Sequence, residues 1–270
     1  MDSDRGRSSP TVPEGVTIRE LAGLAEFRDA AALQVAVWGR GYSDVVPASV
    51  LKVAGEVGGL ALGAFADSTL VGFVFGLTGP RDGEIAHWSH MLGVLPSWRD
   101  QGVGRALKEE QARLLHGRGV RSMLWTFDPL VARNAHLNLN RLGVSVVRYA
   151  PDMYGDTGSD VHSFGTDRLV VRWALHDEGS RSRLDMDPAD IPTLDPMDPS
   201  TILGPAVRIA VPWDIEGIAR GDLDAARRWR ARLRAEFSVA LTAGTFEVAG
   251  FDRPGEPGPC HYVLVRGCAR

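Results

Sequence analysis

Residues 91–115, MLGVLPSWRDQGVGRALKEEQARLL, constrain the fold more than any other stretch of the chain. An apolar run ends at Pro96. Two glycines, Gly102 and Gly104, follow one residue apart, and a helical pattern begins at once. A strand that turns directly into a glycine-led helix leaves backbone N–H groups without intrahelical acceptors. Those donors and the positive end of the helix dipole attract anions. Glycine omits the Cβ that would hold a phosphate away from the backbone. With Arg99 and Arg105 alongside, the turn reads as a pyrophosphate seat. The bland alternative is a connection that merely needs a tight bend. The turn is neither the G-x-G-x-x-G dinucleotide fingerprint nor a P-loop, because no Gly-Lys-Ser/Thr follows.

The rest of the chain reads as mixed α/β. VTIREL (16–21) alternates as a strand, and residues 22–38 place apolar residues at helical spacing. A shorter helix is expected over 47–56. Two strands over 58–79 join at Ala66-Asp67-Ser68, and a longer strand covers 84–96. Then come a helix over 101–117, a strand over 121–127, a helix over about 130–141 stopped by Gly143, and strands at 144–149 and 168–175. The order over residues 16–175 is β-α-α-β-β-β-α-β-α-β-β. Residues 177–205, rich in Asp, Pro and Ser, read as a linker. A β-α-β-β extension follows, with strands at 206–213, 245–251 and 260–266 and a helix over about 221–242. It is too small to stand alone and is expected to pack on the preceding domain, 15–176. Residues 1–14 read as a disordered tail.

Composition excludes several classes of function. The formal net charge is −4, without a strongly basic segment, so nucleic acid is not an expected partner. No apolar run approaches the roughly 20 residues of a membrane span. The start lacks the apolar core of a signal peptide, so a cytoplasmic protein is expected. The two cysteines, Cys260 and Cys268, lack metal-ligand spacing, and no metal is expected.

Val94-Leu95-Pro96 followed by Arg99-Asp100-Gln101-Gly102-Val103-Gly104 resembles the acyl-CoA motif of the GNAT (Gcn5-related) N-acetyltransferase superfamily, and the element order is the GNAT order. The resemblance implies a GNAT fold, a mixed, mostly antiparallel sheet flanked by helices. It also implies an acyl-CoA cosubstrate, acetyl-CoA or another such as succinyl-CoA. Residues Arg99, Gln101, Gly102, Val103, Gly104 and Arg105 would then hold the pyrophosphate. Met91, Leu92 and Val94 would run along the pantetheine arm, with the oxyanion held near the Leu92 N–H. The strands at 91–94 and 121–127 would splay to admit the thioester. Segments such as SHMLGVLP, YAPDMYG and TDRLVVRWAL extend the likeness to a bacterial GNAT subfamily with a C-terminal extension. Some relatives are linked to N-acylamino-acid racemase pathways.

Acyl transfer to an amine needs a proton acceptor near the nitrogen. Glu84, His87, Ser89 and His90 lie on the central strand, and His has the suitable pKa. His90 is four residues before Val94, where the similar arylalkylamine N-acetyltransferases place a catalytic histidine, so His90 is the expected base. In a regular strand His87 faces the other way, and a β-bulge would change that, making His87 a candidate substrate contact. The family's tyrosine acid falls on Leu139. Tyr149 is a substitute acid, Tyr154 a substrate contact, and Asn134 a contact for the CoA arm. Arg133, Arg148 and Arg168 are candidates for a carboxylate on an amino acid or succinyl group. The Asp167-Arg168 pair also reads as a structural ion pair. The expected partner is a small-molecule amine, and the appendage is also compatible with a homodimer. The arginines over 227–234 read as a solvated face or as a basic rim for an anionic acyl-CoA. A non-catalytic acyl-CoA-binding module is the alternative to an enzyme.

Overall fold

The computed structural model describes residues 12–176, 190–241, 245–255 and 257–267. Residues 1–11 of the expected tail, 177–189 of the expected linker and Cys268 lie outside the described residues. Two compact units emerge, one of residues 12–40 and 44–123, the other of residues 41–43 and those after 123. The division falls inside a strand and not in the Asp/Pro-rich segment.

The first unit holds an antiparallel meander, β1 (Val16–Glu20), β2 (Leu60–Ala66), β3 (Thr69–Arg81) and β4 (Glu84–Val94), in that spatial order. Asp82 and Gly83 join β3 to β4, both at positive φ (51° and 81°), as a two-residue type I′ turn requires. Helices α1 (Gly23–Trp38) and α2 (Ala48–Glu56) follow β1. The Glu26 carboxylate accepts from the Ala22 N–H at 2.7 Å, which satisfies one open donor at the start of α1. Helix α3 (Val103–Gly117) follows β4. The two faces of the meander are covered separately. A Cβ at Gly93 would meet Phe73, Leu33 and Trp38 on the α1 side, and one at Gly72 would meet Val103 and Leu107 of α3.

The expected strand over 84–96 ends at Val94, because Pro96 opens a 3-10 turn (Pro96–Trp98). Helix α3 begins at Val103, two residues later than expected, after Gly102 takes a left-handed conformation.

Strand β5 (Ser122–Phe127) crosses the boundary between the units. Within the second unit, β5 neighbours β7 (Arg168–Ala174), which pairs antiparallel with β6 (Ser145–Ala150). The helix expected over 130–141 is instead a short α4 (Ala132–Ala135) running into a π-helical stretch, His136–Leu142. Gly143 ends it in the left-handed region at φ 67°. The extension forms a separate antiparallel sheet, β8 (Ala206–Val211), β9 (Phe246–Asp252) and β10 (Cys260–Arg266), with β10 in the middle. Between β8 and β9, α5 (Ile215–Gly221) precedes α6 (Leu223–Leu241), where one helix was expected. Asp214 separates them from β8, its carboxylate accepting from the Gly217 N–H at 2.8 Å.

The described part of the expected linker is not free chain. The Leu194 N–H donates to Arg208 O and the Arg208 N–H to Pro192 O, each at 2.8 Å, and Ile191 is buried with Ala206 and Val263. Asp and Pro content hid this edge because backbone pairing places little demand on side chains there. Among the described residues, no helix is long and apolar enough to cross a membrane, and no group of three or more His, Cys, Asp or Glu is placed to hold a metal.

Candidate active site

The glycine turn presents what the sequence requires of an anion seat. Gly102 caps α3 at φ 87°, ψ −5°, and no side chain caps the helix. The first intrahelical bond is Ala106 N–H to Gly102 O at 3.0 Å. The N–H groups of Val103, Gly104 and Arg105 precede it and have no intrahelical acceptor. A Cβ at Gly104 would meet only Leu92 and Val94, at 3.6 and 3.8 Å, which is ordinary contact. Nothing among the described residues therefore demands glycine at 104, whereas a phosphate against the backbone would. The flanking residues are partly engaged. Arg99 Nε donates to Val94 O at 3.3 Å, Gln101 Nε2 to Ser97 O at 2.8 Å, and Arg105 pairs with Glu109 at 2.8 Å. A diphosphate fits this geometry through the uncapped amides first and the arginines second.

Beside the turn, β4 carries a bulge. Met91 pairs with Phe75 and Ser89 with Gly76, so His90 is the extra residue. Its ring meets Phe75 edge-on, centroids 6.4 Å apart, on the α1 side. His90 keeps solvent access, yet surrounding protein desolvates it enough to lower its pKa, an effect that Asp44 partly opposes. A lowered pKa leaves the imidazole neutral, and so basic, at neutral pH. Met91 is buried, and Leu92 and Val94 are half-buried toward α3.

His87 lies on the other face, 0% exposed. Its Nδ1 is 2.8 Å from Thr78 Oγ1 and its Nε2 is 3.1 Å from Gln111 Nε2. Lys108 Nζ donates to Ser89 Oγ, which donates to Gln111 Oε1, both at 2.7 Å. Gln111 nitrogen must then donate to His87 Nε2, and the His87 proton sits on Nδ1. Burial, then the charges of Lys108 and Arg118, lower the His87 pKa to about 3. So placed, His87 is sealed from substrate, bulge or no bulge. Sequence reasoning missed Lys108 and Gln111. Their signal was present: polar residues on the apolar stripe of α3 opposite polar residues at alternate positions of β4.

The other candidates lie in the second unit. The Tyr149 hydroxyl donates to Asp167, and its ring stacks on Phe237 at 5.2 Å. Burial and the Asp167 carboxylate raise its pKa far above that of a free phenol, which is the wrong direction for an acid. Tyr154 OH is 2.9 Å from Thr126 Oγ1, and the Arg168 guanidinium lies 5.4 Å from its ring centroid. Arg168 is buried and 3.6 Å from Asp128, while Asp167 pairs with Arg234 at 2.5 Å, so the neighbours Asp167 and Arg168 take different partners. Both terminal nitrogens of the Arg133 guanidinium donate to Glu216, at 2.9 and 2.6 Å, and Arg148 is exposed. Asn134 offers its backbone carbonyl to Asn138 Nδ2 at 2.8 Å, and Asn138 Oδ1 accepts from Trp125 Nε1 at 2.8 Å. Leu139 is buried.

The arginines over 227–234 are largely solvated, as expected, and are also paired. Arg227, Arg228, Arg230, Arg232 and Arg234 each meet a carboxylate of the same unit, and Arg230 is itself buried. That leaves little free charge for a basic rim.

Residues 27–141 match the profile of the Acetyltransferase (GNAT) family. No curated relative matches the sequence. Similar solved structures include the ribosomal-protein-S18-alanine N-acetyltransferase of Escherichia coli, 19% identical, TM-score 0.46, covering 63% of this chain and 99% of that one. An aminoglycoside 6′-acetyltransferase type Ii is 19% identical, with a TM-score of 0.48 and coverage of 60% and 99%. The ribosomal-protein-alanine N-acetyltransferase of Brucella melitensis is 18% identical, with a TM-score of 0.46 and coverage of 58% and 99%. Likenesses this partial say nothing about the acceptor. The matched segment contains β4, the glycine turn and α3, and it is over this segment that the chain is similar to the acetyltransferase (GNAT) family.

Proposed function

We propose that the protein is an acyl-CoA-dependent N-acyltransferase that moves an acetyl or succinyl group onto the amine of a small, amino-acid-like acceptor. The observation that carries this reading is the uncapped start of α3, with a glycine at 104 that no contact among the described residues requires. The amides of residues 103–105 hold the diphosphate, with Arg99, Gln101 and Arg105 around them. Met91, Leu92 and Val94 line the arm.

His90 acts as the base. It takes the proton shed by the attacking amine as nitrogen bonds to the thioester carbon and the C–S bond breaks. The thiolate leaves without a protein acid, since Tyr149 is tied to Asp167 and Leu139 replaces the family's tyrosine. Of the arginines considered for the acceptor's carboxylate, Arg168 is buried against Asp128 and Arg133 is held by Glu216, so neither is assigned that role.

The test is a screen of acetyl- and succinyl-CoA against amines, amino acids of both hands included, read by free thiol release. Amine-dependent thiol release is expected. His90→Ala should cut the rate about a hundredfold or more. It should also abolish an acid limb that lies below the ordinary histidine pKa of about 6.5. An unchanged rate and pH profile would remove His90 from the mechanism. The burial of Leu139 at the acid position favours a second reading, a non-catalytic acyl-CoA-binding module. Tight CoA binding with no transfer across the panel would select it.

A further inference from the structure

The bulge that sets out His90 has a cause elsewhere in the first unit. Strand β3 alternates strictly: Gly72, Val74, Gly76 and Thr78 are the partners of Val94, Leu92, Ser89 and His87. All four of those β4 residues turn toward α3. Leu92 and Val94 are the side chains nearest Gly104, and Ser89 and His87 bond to Lys108 and Gln111. Two even-numbered and two odd-numbered residues therefore share one face. Alternation allows a single residue between Ser89 and Leu92, and the chain has two. The surplus residue is His90.

We propose that the buried group of Lys108, Ser89, Gln111 and His87 is a positioning device that pins the upstream half of β4 to α3 and thereby expels and aims His90. The proposal rests on the reading of His90 as the base. Bulges can migrate where a strand's register is weakly specified. Here migration past Ser89 would swing its hydroxyl away from α3 and remove the partner that it gives to Gln111 Oε1 and Lys108 Nζ, both on side chains nearly inaccessible to water. Gly76 adds a steric condition, because the imidazole of His87, whose strand partner is Thr78, lies over Gly76, and a Cβ there would collide with His87 Nε2 and Trp88 O. The charged and titratable groups acting on the pinned face are Lys108, His87 and Arg118, whereas His90, on the other face, feels Asp44. Leu92 and Val94 supply the downstream anchor through packing. The pin is polar upstream and apolar downstream, and the odd spacing between the two anchors is taken up at the proposed base.

The experiment compares Ser89→Ala with Ser89→Thr in the full chain. Three quantities are measured: the His90 titration by NMR, amide exchange at His90 and Met91, and kcat and KM for acetyl-CoA with the best amine from the acceptor screen. Ser89→Ala should shift the His90 midpoint by about half a pH unit or more. It should speed exchange at 90–91 about tenfold and lower kcat about tenfold to a hundredfold, with the acetyl-CoA KM within about twofold. Ser89→Thr, which keeps the hydroxyl, should restore all three. If Ser89→Ala does not fold, Lys108→Met cuts the same group at its other end and is read identically. A folded Ser89→Ala with the wild-type His90 titration and wild-type exchange overturns the proposal. Should His90→Ala instead leave turnover intact, the base assignment falls, while titration and exchange still decide on the pin.

Discussion

Gly102 and Gly104 are both glycines for physical reasons, but not for the same reason. Gly102, at φ 87°, occupies backbone space that a side chain enters at a cost of about 1–2 kcal/mol. Gly104 is helical, and a Cβ there finds only ordinary contact with Leu92 and Val94. Glycine within a helix costs roughly 0.5–1 kcal/mol relative to alanine. The fold would therefore gain from alanine at 104, and under the proposed function the absent methyl makes room for a ligand against the backbone. Gly104→Ala is accordingly expected to hold or raise the melting temperature without ligand. The same variant should weaken CoA binding by about tenfold or more in calorimetry, since one methyl fills the seat. Gly102→Ala should lose stability. A Gly104→Ala protein that is less stable yet binds CoA as before would mean the glycine serves packing alone.

The α3–β4 pair joins the glycine turn at one end to a buried polar group at the other, and the second feature makes stability depend on pH. His87 is neutral and fully enclosed, with a folded pKa of about 3 against about 6.5 in an unfolded chain. Between those values the unfolded chain binds a proton that the folded one refuses. Stability from this group is complete above about pH 6.5 and falls as pH drops toward 3, with a limiting slope of about 1.4 kcal/mol per pH unit. His87→Gln should flatten the stability profile between about pH 6 and 4 relative to wild type, measured by urea unfolding at several pH values. An identical slope in both proteins would show that carboxylates elsewhere set it. Reading the sequence located both elements and the glycine turn, because apolar period and turn chemistry are local signals. The bulge was foreseen as an option but not placed, because its position depends on which residues of α3 face which residues of β4. The sealing of His87 escaped for the same reason. Lys108 looked like an ordinary helix lysine until its position on the apolar stripe met Ser89. The π-helical stretch after Ala135 was likewise invisible, since its residues keep helical spacing.

At the scale of the whole molecule, the C-terminal extension bears on the unit that contains it. Arg230, 4% exposed, pairs with Asp128 at 2.5 Å, and buried Arg168 shares that carboxylate. Arg234 holds Asp167 and Asp152, Phe237 stacks on Tyr149, and Tyr262 OH donates to Pro129 O at 2.8 Å. Helix α6 and strand β10 thus satisfy polar groups on the segment just after β5 and on the connection between β6 and β7. The ion pairs respond unequally to change, because an unpartnered buried charge costs far more than a missing pair. Asp128→Asn leaves two buried guanidinium groups without their shared carboxylate, and a loss of about 3–5 kcal/mol is expected in equilibrium unfolding. Arg230→Met leaves Asp128 with Arg168 and should cost less. The double variant Asp128→Asn with Arg230→Met should recover part of the loss, because one of the two stranded cations is gone. If all three proteins unfold at the wild-type denaturant concentration, these charges do not hold the unit together, and the extension would be an attachment that the rest of the unit can spare.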